Sequence, residues 1–155
     1  MLSLINHKGY YLLFLVLVLL DQLTKQIFIL SFDLGDSIFV NYYLSWTYLQ
    51  NTGAAFSILA DGGSIQKTFL LSVSVLVSVV VVFWIQKTDI SQRQKLMGQF
   101  FLLSGAVGNL IDRAQYGYVI DFIDINILNW PVFNLADSFI FIGVMLLLFE
   151  RKKSS

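Results

Sequence analysis

Cysteine is absent from this 155-residue chain, which excludes disulfide staples, thiol nucleophiles and thiolate metal sites. Histidine occurs once, at His7. That excludes a multi-histidine zinc site and any Ser-His hydrolase whose histidine lies within a membrane segment. Charge is scarce at 13% of residues, about half the share of an ordinary soluble domain. Ten cations balance ten acids, so no net basic field draws in nucleic acid. Glutamate is nearly missing too, since Glu150 is the one acid that is not an aspartate. What is plentiful is apolar surface: 57% of residues and a mean hydropathy of +0.73. A soluble core of this length cannot house that excess. The composition describes one integral membrane domain, residues 1–155, and any chemistry in it must run on carboxylates.

Four stretches are long enough to approach the roughly 20 residues that cross a bilayer core: 10–30, 68–85, 96–111 and 130–149. The first could be mistaken for a signal peptide, but Asp21 to Gln26 stand where a small-residue cleavage site belongs, so it reads as a retained helix. Lys8, Lys87, Arg93, Lys95, Arg151, Lys152 and Lys153 fall in the amino terminus, the central loop and the carboxyl terminus. Four spans put those segments on one side, and the positive-inside rule makes that side cytoplasmic. Segments 31–67 and 114–129 then face outward, with acids that include Asp33, Asp36, Asp61 and Asp124 against a single Lys67. Trp46, Trp84 and Trp130 fall at span ends or in the outer segment, as interface anchors do. Within 31–67, Ile38 to Gln50 is dense in β-branched and aromatic residues and predicts a strand or hairpin, closed by a turn at Asn51-Thr52-Gly53. No repeat or linker suggests a second domain.

Ionisable groups in a span cost at least about 2.5–3.5 kcal/mol each at the helix centre, yet they converge here at one depth. By helix rise, Asp21 and Lys25 lie roughly 17 and 23 Å along the outward-running first span. Asn109, Asp112 and Arg113 end the third span. Asp137 lies roughly 10 Å below the outer surface on the fourth, with Asn134 a turn above it. Asp121 follows the third span after a short loop. Simpler roles exist for most of them. Asp21 and Lys25 can pair along their helix, Asp112 and Arg113 can form a helix-end ion pair, and the asparagines can bond helices together. Ser104-Gly105-Ala106 with Gly108 suits close helix packing, and Asp124 suits a solvated loop. Asp137 has no cation within a helical turn, so it must be protonated or paired with something remote in sequence.

Two carboxylates that face each other share a proton and titrate as a pair. One can then act as base towards water and the other as acid towards a carbonyl or leaving nitrogen. A proton- or ion-coupled carrier using Asp112, Asp121 and Asp137 as a relay is the principal rival; the second span offers it no ionisable group and no polar path reaches the cytoplasm. A non-enzymatic assembly subunit would leave the asparagine-rich motifs unexplained, and a rhomboid-type protease would need a membrane histidine.

Five motifs occur in order: Asp21-Gln-Leu-Thr-Lys25, Asn51-Thr-Gly53-Ala-Ala-Phe-Ser57, Gly108-Asn-Leu-Ile-Asp-Arg113, Val119-Ile-Asp-Phe122 and Phe133-Asn-Leu-Ala-Asp-Ser138. Together they resemble the bacterial lipoprotein signal peptidase (signal peptidase II) family over nearly the whole chain. The resemblance implies four transmembrane helices with a small periplasmic β-cradle at the outer membrane surface. It implies an aspartic endopeptidase of the bacterial inner membrane that removes signal peptides from prolipoproteins whose cysteine carries diacylglycerol, sensitive to globomycin. Asp121 and Asp137 match the family's catalytic pair. Asn51, Gly53, Asn109, Asp112, Arg113 and Asn134 match positions that line or brace the site, and Asp21 and Lys25 match the polar pair of the first span. Neither a metal nor a cofactor is implied. The expected partners are lipidated prolipoproteins and membrane lipids, acting on a monomer.

Overall fold

A computed structural model describes residues 8–53, 64–127 and 130–150. Four helices and a three-stranded sheet follow one another as α1 (Lys8–Ser31), β1 (Ser37–Asn41), β2 (Leu44–Asn51), α2 (Ser64–Gln86), α3 (Arg93–Gln115), β3 (Val119–Ile125) and α4 (Leu135–Leu148). α1 and α2 are long and apolar enough to cross a membrane. α4 is apolar but has only 14 residues, and α3 has 23 residues but carries many polar ones.

The helices are inside out relative to a soluble bundle. α1 buries Leu17, Asp21, Lys25 and Phe28, a single stripe at helical spacing, and turns Leu12, Leu15, Leu19, Leu23 and Leu30 outward. α2 likewise exposes Leu76, Val80 and Phe83. Such faces suit lipid and not water. α3 can be polar because it is the most enclosed helix, with eleven buried residues, and α1, α2 and α4 all pack on it. The helix pair α3 and α4 approaches closely through glycines. A methyl at Gly105 would collide with the Ala136 carbonyl oxygen, and one at Gly143 would lie 2.7 Å from the Gly98 oxygen.

Two apolar clusters bracket the polar layer. Val81, Ile85, Leu96, Phe100 and Leu103 pack with Tyr10, Tyr11 and Phe14 from the start of α1. Phe28, Tyr48, Ile120 and Phe122 pack with Phe32 and Trp46 beyond its other end, and the Phe28 and Phe122 rings stack with centroids 4.3 Å apart. Asp21 and Lys25 sit between these clusters, where neither water nor an apolar neighbour can satisfy them. They must bond to one another and to polar groups of other elements.

The hairpin expected within 38–50 is present as β1 and β2, and β2 continues antiparallel onto β3. That third strand corrects the placing of Asp124 in an outer loop. Carboxylates at every third position of Val119-Ile-Asp-Phe-Ile-Asp-Ile hide the alternation of a strand. Asp124 is therefore not loop-solvated; it lies on β3 and accepts a hydrogen bond from Thr47 Oγ1 at 3.0 Å. Trp46 is half-buried on Phe28, centroids 5.8 Å apart, and packs against the apolar cluster beside the sheet. The last helix starts at Leu135, not at Trp130, because Phe133 bonds to Ile123 on the edge of β3 and Asn134 caps the helix. Asp137 is accordingly in the helix's first turn, and the estimate of its depth by rise from residue 130 does not hold. Residues 54–57 of the second motif, Asp61 and the cations at 151–153 lie outside the described residues.

Candidate active site

The local sequence at the start of α4 builds the first half of the site. Asn134 is extended and caps the helix, its Oδ1 accepting the Asp137 N–H at 2.9 Å. Asp137 Oδ2 accepts the Asn134 N–H in return at 3.4 Å. This reciprocal box satisfies donors a helix start leaves open. It also decides the polarity of the Asn134 amide: its oxygen is taken, so its Nδ2 must face elsewhere. Nδ2 lies 2.7 Å from Asp121 Oδ1 and 3.1 Å from the Ile120 carbonyl.

β3 supplies the second half. Asp121 is 2% exposed and its other oxygen accepts from Asn51 Nδ2 at 2.9 Å. Asn51 is oriented in the same manner, because its Oδ1 accepts the Gly53 N–H at 2.8 Å in a turn that gives Gly53 a φ of +75°. A side chain at residue 53 would be strained at that angle and would meet Leu70. Asn109 on α3 completes the set: its Oδ1 accepts from Lys25 Nζ at 3.0 Å and its Nδ2 donates to Asp137 Oδ1 at 2.7 Å. Three carboxamides, each anchored through its oxygen, thus present N–H groups to two carboxylates. Burial is the main reason the Asp121 carboxyl is pushed up to about 7, with the nearby Asp137 charge adding to the rise against the opposing amide bonds and Lys25.

Beneath the two carboxylates lies an ion cluster. Lys25 Nζ contacts Asp21 Oδ2 at 2.9 Å and Asp112 Oδ2 at 2.8 Å, and all three side chains are nearly fully buried. The expected pairing of Asp21 with Lys25 is there, but it is one arm of a larger cluster. Asp112 pairs with Lys25, not with its neighbour Arg113. The Arg113 side chain donates a hydrogen bond to Ser74 Oγ of α2 at 3.2 Å and lies close enough to Asp137, Asp112 and Asp121 for their charges to act on it. Every residue expected at the site is in this network except Arg113, which stands at its margin. Two contributors had not been singled out. Gln22 donates to Asp112 Oδ1 at 3.0 Å and to the Gly108 carbonyl at 3.1 Å; its place between Asp21 and Lys25 was the available signal. Gln66 reaches the carbonyls of Thr52 and Gly53 at 3.2 and 3.3 Å, and nothing in the sequence marks it. Among the described residues no group of three acidic, histidine or cysteine side chains could hold a metal ion.

Lipid-suited helix faces around a buried carboxylate site are the features of a membrane enzyme. Two solved structures, both described as bacterial membrane enzymes determined in meso, are similar to this fold. One has a TM-score of 0.85 at 33% identity, covering 96% of this chain and 95% of that one. The other has a TM-score of 0.81 at 32% identity, covering 96% and 94%. Residues 13–151 match the family described as signal peptidase (SPase) II. Relatives named lipoprotein signal peptidase include one from Alteromonas mediterranea, 43% identical over 138 residues, 88% of this chain and 76% of the relative. Another, from Acinetobacter baumannii, is 42% identical over 135 residues, covering 86% and 77%. The chain belongs to the signal peptidase II family. It is a protease of lipoprotein processing, with apolar helices that fit a membrane protein.

Proposed function

We propose that the chain is an aspartic endopeptidase that cuts signal peptides from diacylglyceryl-modified prolipoproteins at the outer face of the bacterial inner membrane. Asp121 and Asp137 are its catalytic pair. One observation carries this reading: both carboxylates are bonded to a single residue, Asn134, through its side chain on one side and its backbone N–H on the other. Carboxylates held that way share one proton. Asp121, with its raised affinity for protons, holds it at rest and Asp137 is the base.

Asp137 takes a proton from a water whose oxygen attacks the scissile carbonyl carbon, while Asp121 gives its proton to the carbonyl oxygen. The tetrahedral diol then collapses. The C–N bond breaks, the proton acquired by Asp137 passes to the leaving nitrogen, and Asp121 recovers a proton from the diol hydroxyl that becomes the carbonyl of the new carboxyl group. The products are the signal peptide's new carboxyl terminus and the free amine of the lipidated cysteine. The three oriented amides hold the pair and offset its negative charge without competing for its proton. Arg113, whose side chain makes one hydrogen bond among the described residues, is left for a substrate carbonyl.

In this reading all four helices cross the membrane with both termini cytoplasmic, as the seven cations of the expected inner segments support. α4 is short for a crossing, rising about 21 Å by itself. The sheet lies on the periplasmic surface, and a monomer suffices, since one chain contains the whole network. A diacylglyceryl group in the outer leaflet holds the neighbouring peptide bond at the layer of the carboxylates, each buried methylene contributing about 0.8 kcal/mol. The test compares purified protein acting on lipidated and unlipidated precursor by gel shift. Cleavage of the lipidated form alone is expected; equal rates on both would show that lipid anchoring does not position the bond.

A further inference from the structure

The buried ion cluster takes no proton in the mechanism, yet its bonds lead to both carboxylates. The three donors of Lys25 Nζ reach Asp21 Oδ2, Asp112 Oδ2 and Asn109 Oδ1 at 2.9, 2.8 and 3.0 Å. Each of these partners makes a second bond. Asp112 Oδ2 accepts the backbone N–H of Ile120, the residue before Asp121, at 3.1 Å. Asp21 Oδ1 accepts the backbone N–H of Ala136, the residue before Asp137, at 2.9 Å. Asn109 Nδ2 donates to Asp137 itself at 2.7 Å. A pair that only stabilised its own helix would not end at these three places.

We propose that Lys25 is a positioning residue for the reaction, a single ammonium that joins two carboxylate arms gripping the chain just before each catalytic aspartate and orients the Asn109 amide towards Asp137. The proposal rests on the assignment of Asp121 and Asp137. Two arms on one ammonium couple the placement of β3 to that of α4, elements that come from different parts of the chain. Gln22 supplies further donors to both arms, 3.2 Å from Asp21 Oδ2 and 3.0 Å from Asp112 Oδ1, which suits a cluster with two acids and one cation. The close approach of α3 is fitted to it as well: a methyl at Gly108 would sit 2.5 Å from Asp21 Oδ2. Without the ammonium, the Asn109 oxygen keeps the longer bond from Asn134 Nδ2 at 3.2 Å but loses the charged donor that fixes the amide's orientation towards Asp137.

Lys25→Met alone leaves two buried acids without a cation and is a poor test, because such a change threatens folding. The triple variant Asp21→Asn/Lys25→Met/Asp112→Asn is neutral and keeps a side-chain oxygen for the Ile120 and Ala136 amides. On lipidated precursor it should fold, keep KM within about threefold and lose at least about tenfold in kcat. A wild-type kcat would overturn the proposal. So would failure to fold, or a loss confined to KM, since either would give the cluster a role other than placing the pair. Asp121→Asn in the same assay separates the two ideas: if it cleaves normally the catalytic assignment has failed, whereas an inactive Asp121→Asn beside a fully active triple variant defeats the positioning role alone.

Discussion

Replacing Asp121 by Asn should change how the protein's stability depends on pH. The carboxyl titrates at about 7 in the fold against an ordinary 3.8, so the folded state holds its proton more tightly than the unfolded state. The associated stability is complete below about pH 4 and is lost as pH rises to about 7. The full difference is about 3 pH units, or about 4 kcal/mol at 1.36 kcal/mol per unit. Between pH 5 and pH 8 only the part from 5 to 7 is crossed, which leaves about 3 kcal/mol. Other groups titrate in that window, so the quantity to measure is a double difference. Equilibrium unfolding in mixed micelles at the two pH values, for wild type and for Asp121→Asn, cancels the shared contributions. It also cancels the clash of the new amide with the pinned Asn51 or Asn134 amide, provided that clash does not vary with pH. Wild type should lose about 3 kcal/mol more than the variant on going from pH 5 to pH 8. A double difference below about 0.5 kcal/mol would mean that the folded site does not hold a proton at Asp121, and the division of acid and base roles would fall with it.

Further outcomes follow from the same geometry. Turnover should decline above about pH 7 as the pair loses its shared proton, so the alkaline limb of kcat should lie near the Asp121 value; a flat profile to pH 9 would contradict the acid role. Asp124→Asn should keep kcat within about threefold, since Asp124 touches Thr47 and the lost hydrogen bond is worth about 1 kcal/mol; an inactive variant would point to the wrong carboxylate. Gly108→Ala should destabilise by about 1–3 kcal/mol, because the added methyl meets Asp21 Oδ2 at 2.5 Å and Ala136 Cβ at 3.1 Å; unchanged unfolding would show that the helices are not in contact there. Tags at both termini and at residue 90 should be protected in intact spheroplasts and a tag near Asp61 accessible; equal protection of all would overturn the four-span orientation.

Much of this was legible in the sequence because lipid reverses the usual reading. In α1 the polar residues Asp21 and Lys25 are unusual enough to stand out, and being unusual they are the buried ones. The hairpin was legible from its β-branched and aromatic residues. β3 was not, because the residues that give it a function, Asp121 and Asp124, break the alternation that marks a strand. The start of α4 was obscured in a related way: Asn134 looks like a polar residue within a span, but its side chain ends the extended segment and begins the helix. The partners of Lys25 were beyond reach. Sequence spacing favours Asp21, four residues away, and says nothing about Asp112 and Asn109, which arrive from α3 only when the glycine-lined helices close on one another.

The central claim is that Asp121 and Asp137 act as one catalytic unit, and its most direct test is turnover of lipidated precursor by Asp121→Asn, Asp137→Asn and the double variant, each shown to be folded and inserted. Residues that act as a unit are not additive. Each single change should lower kcat by at least about a thousandfold, and the double variant should be no slower than the slower single. Either single variant retaining near-normal turnover, or a double variant whose loss is the product of the two single losses, would contradict the account.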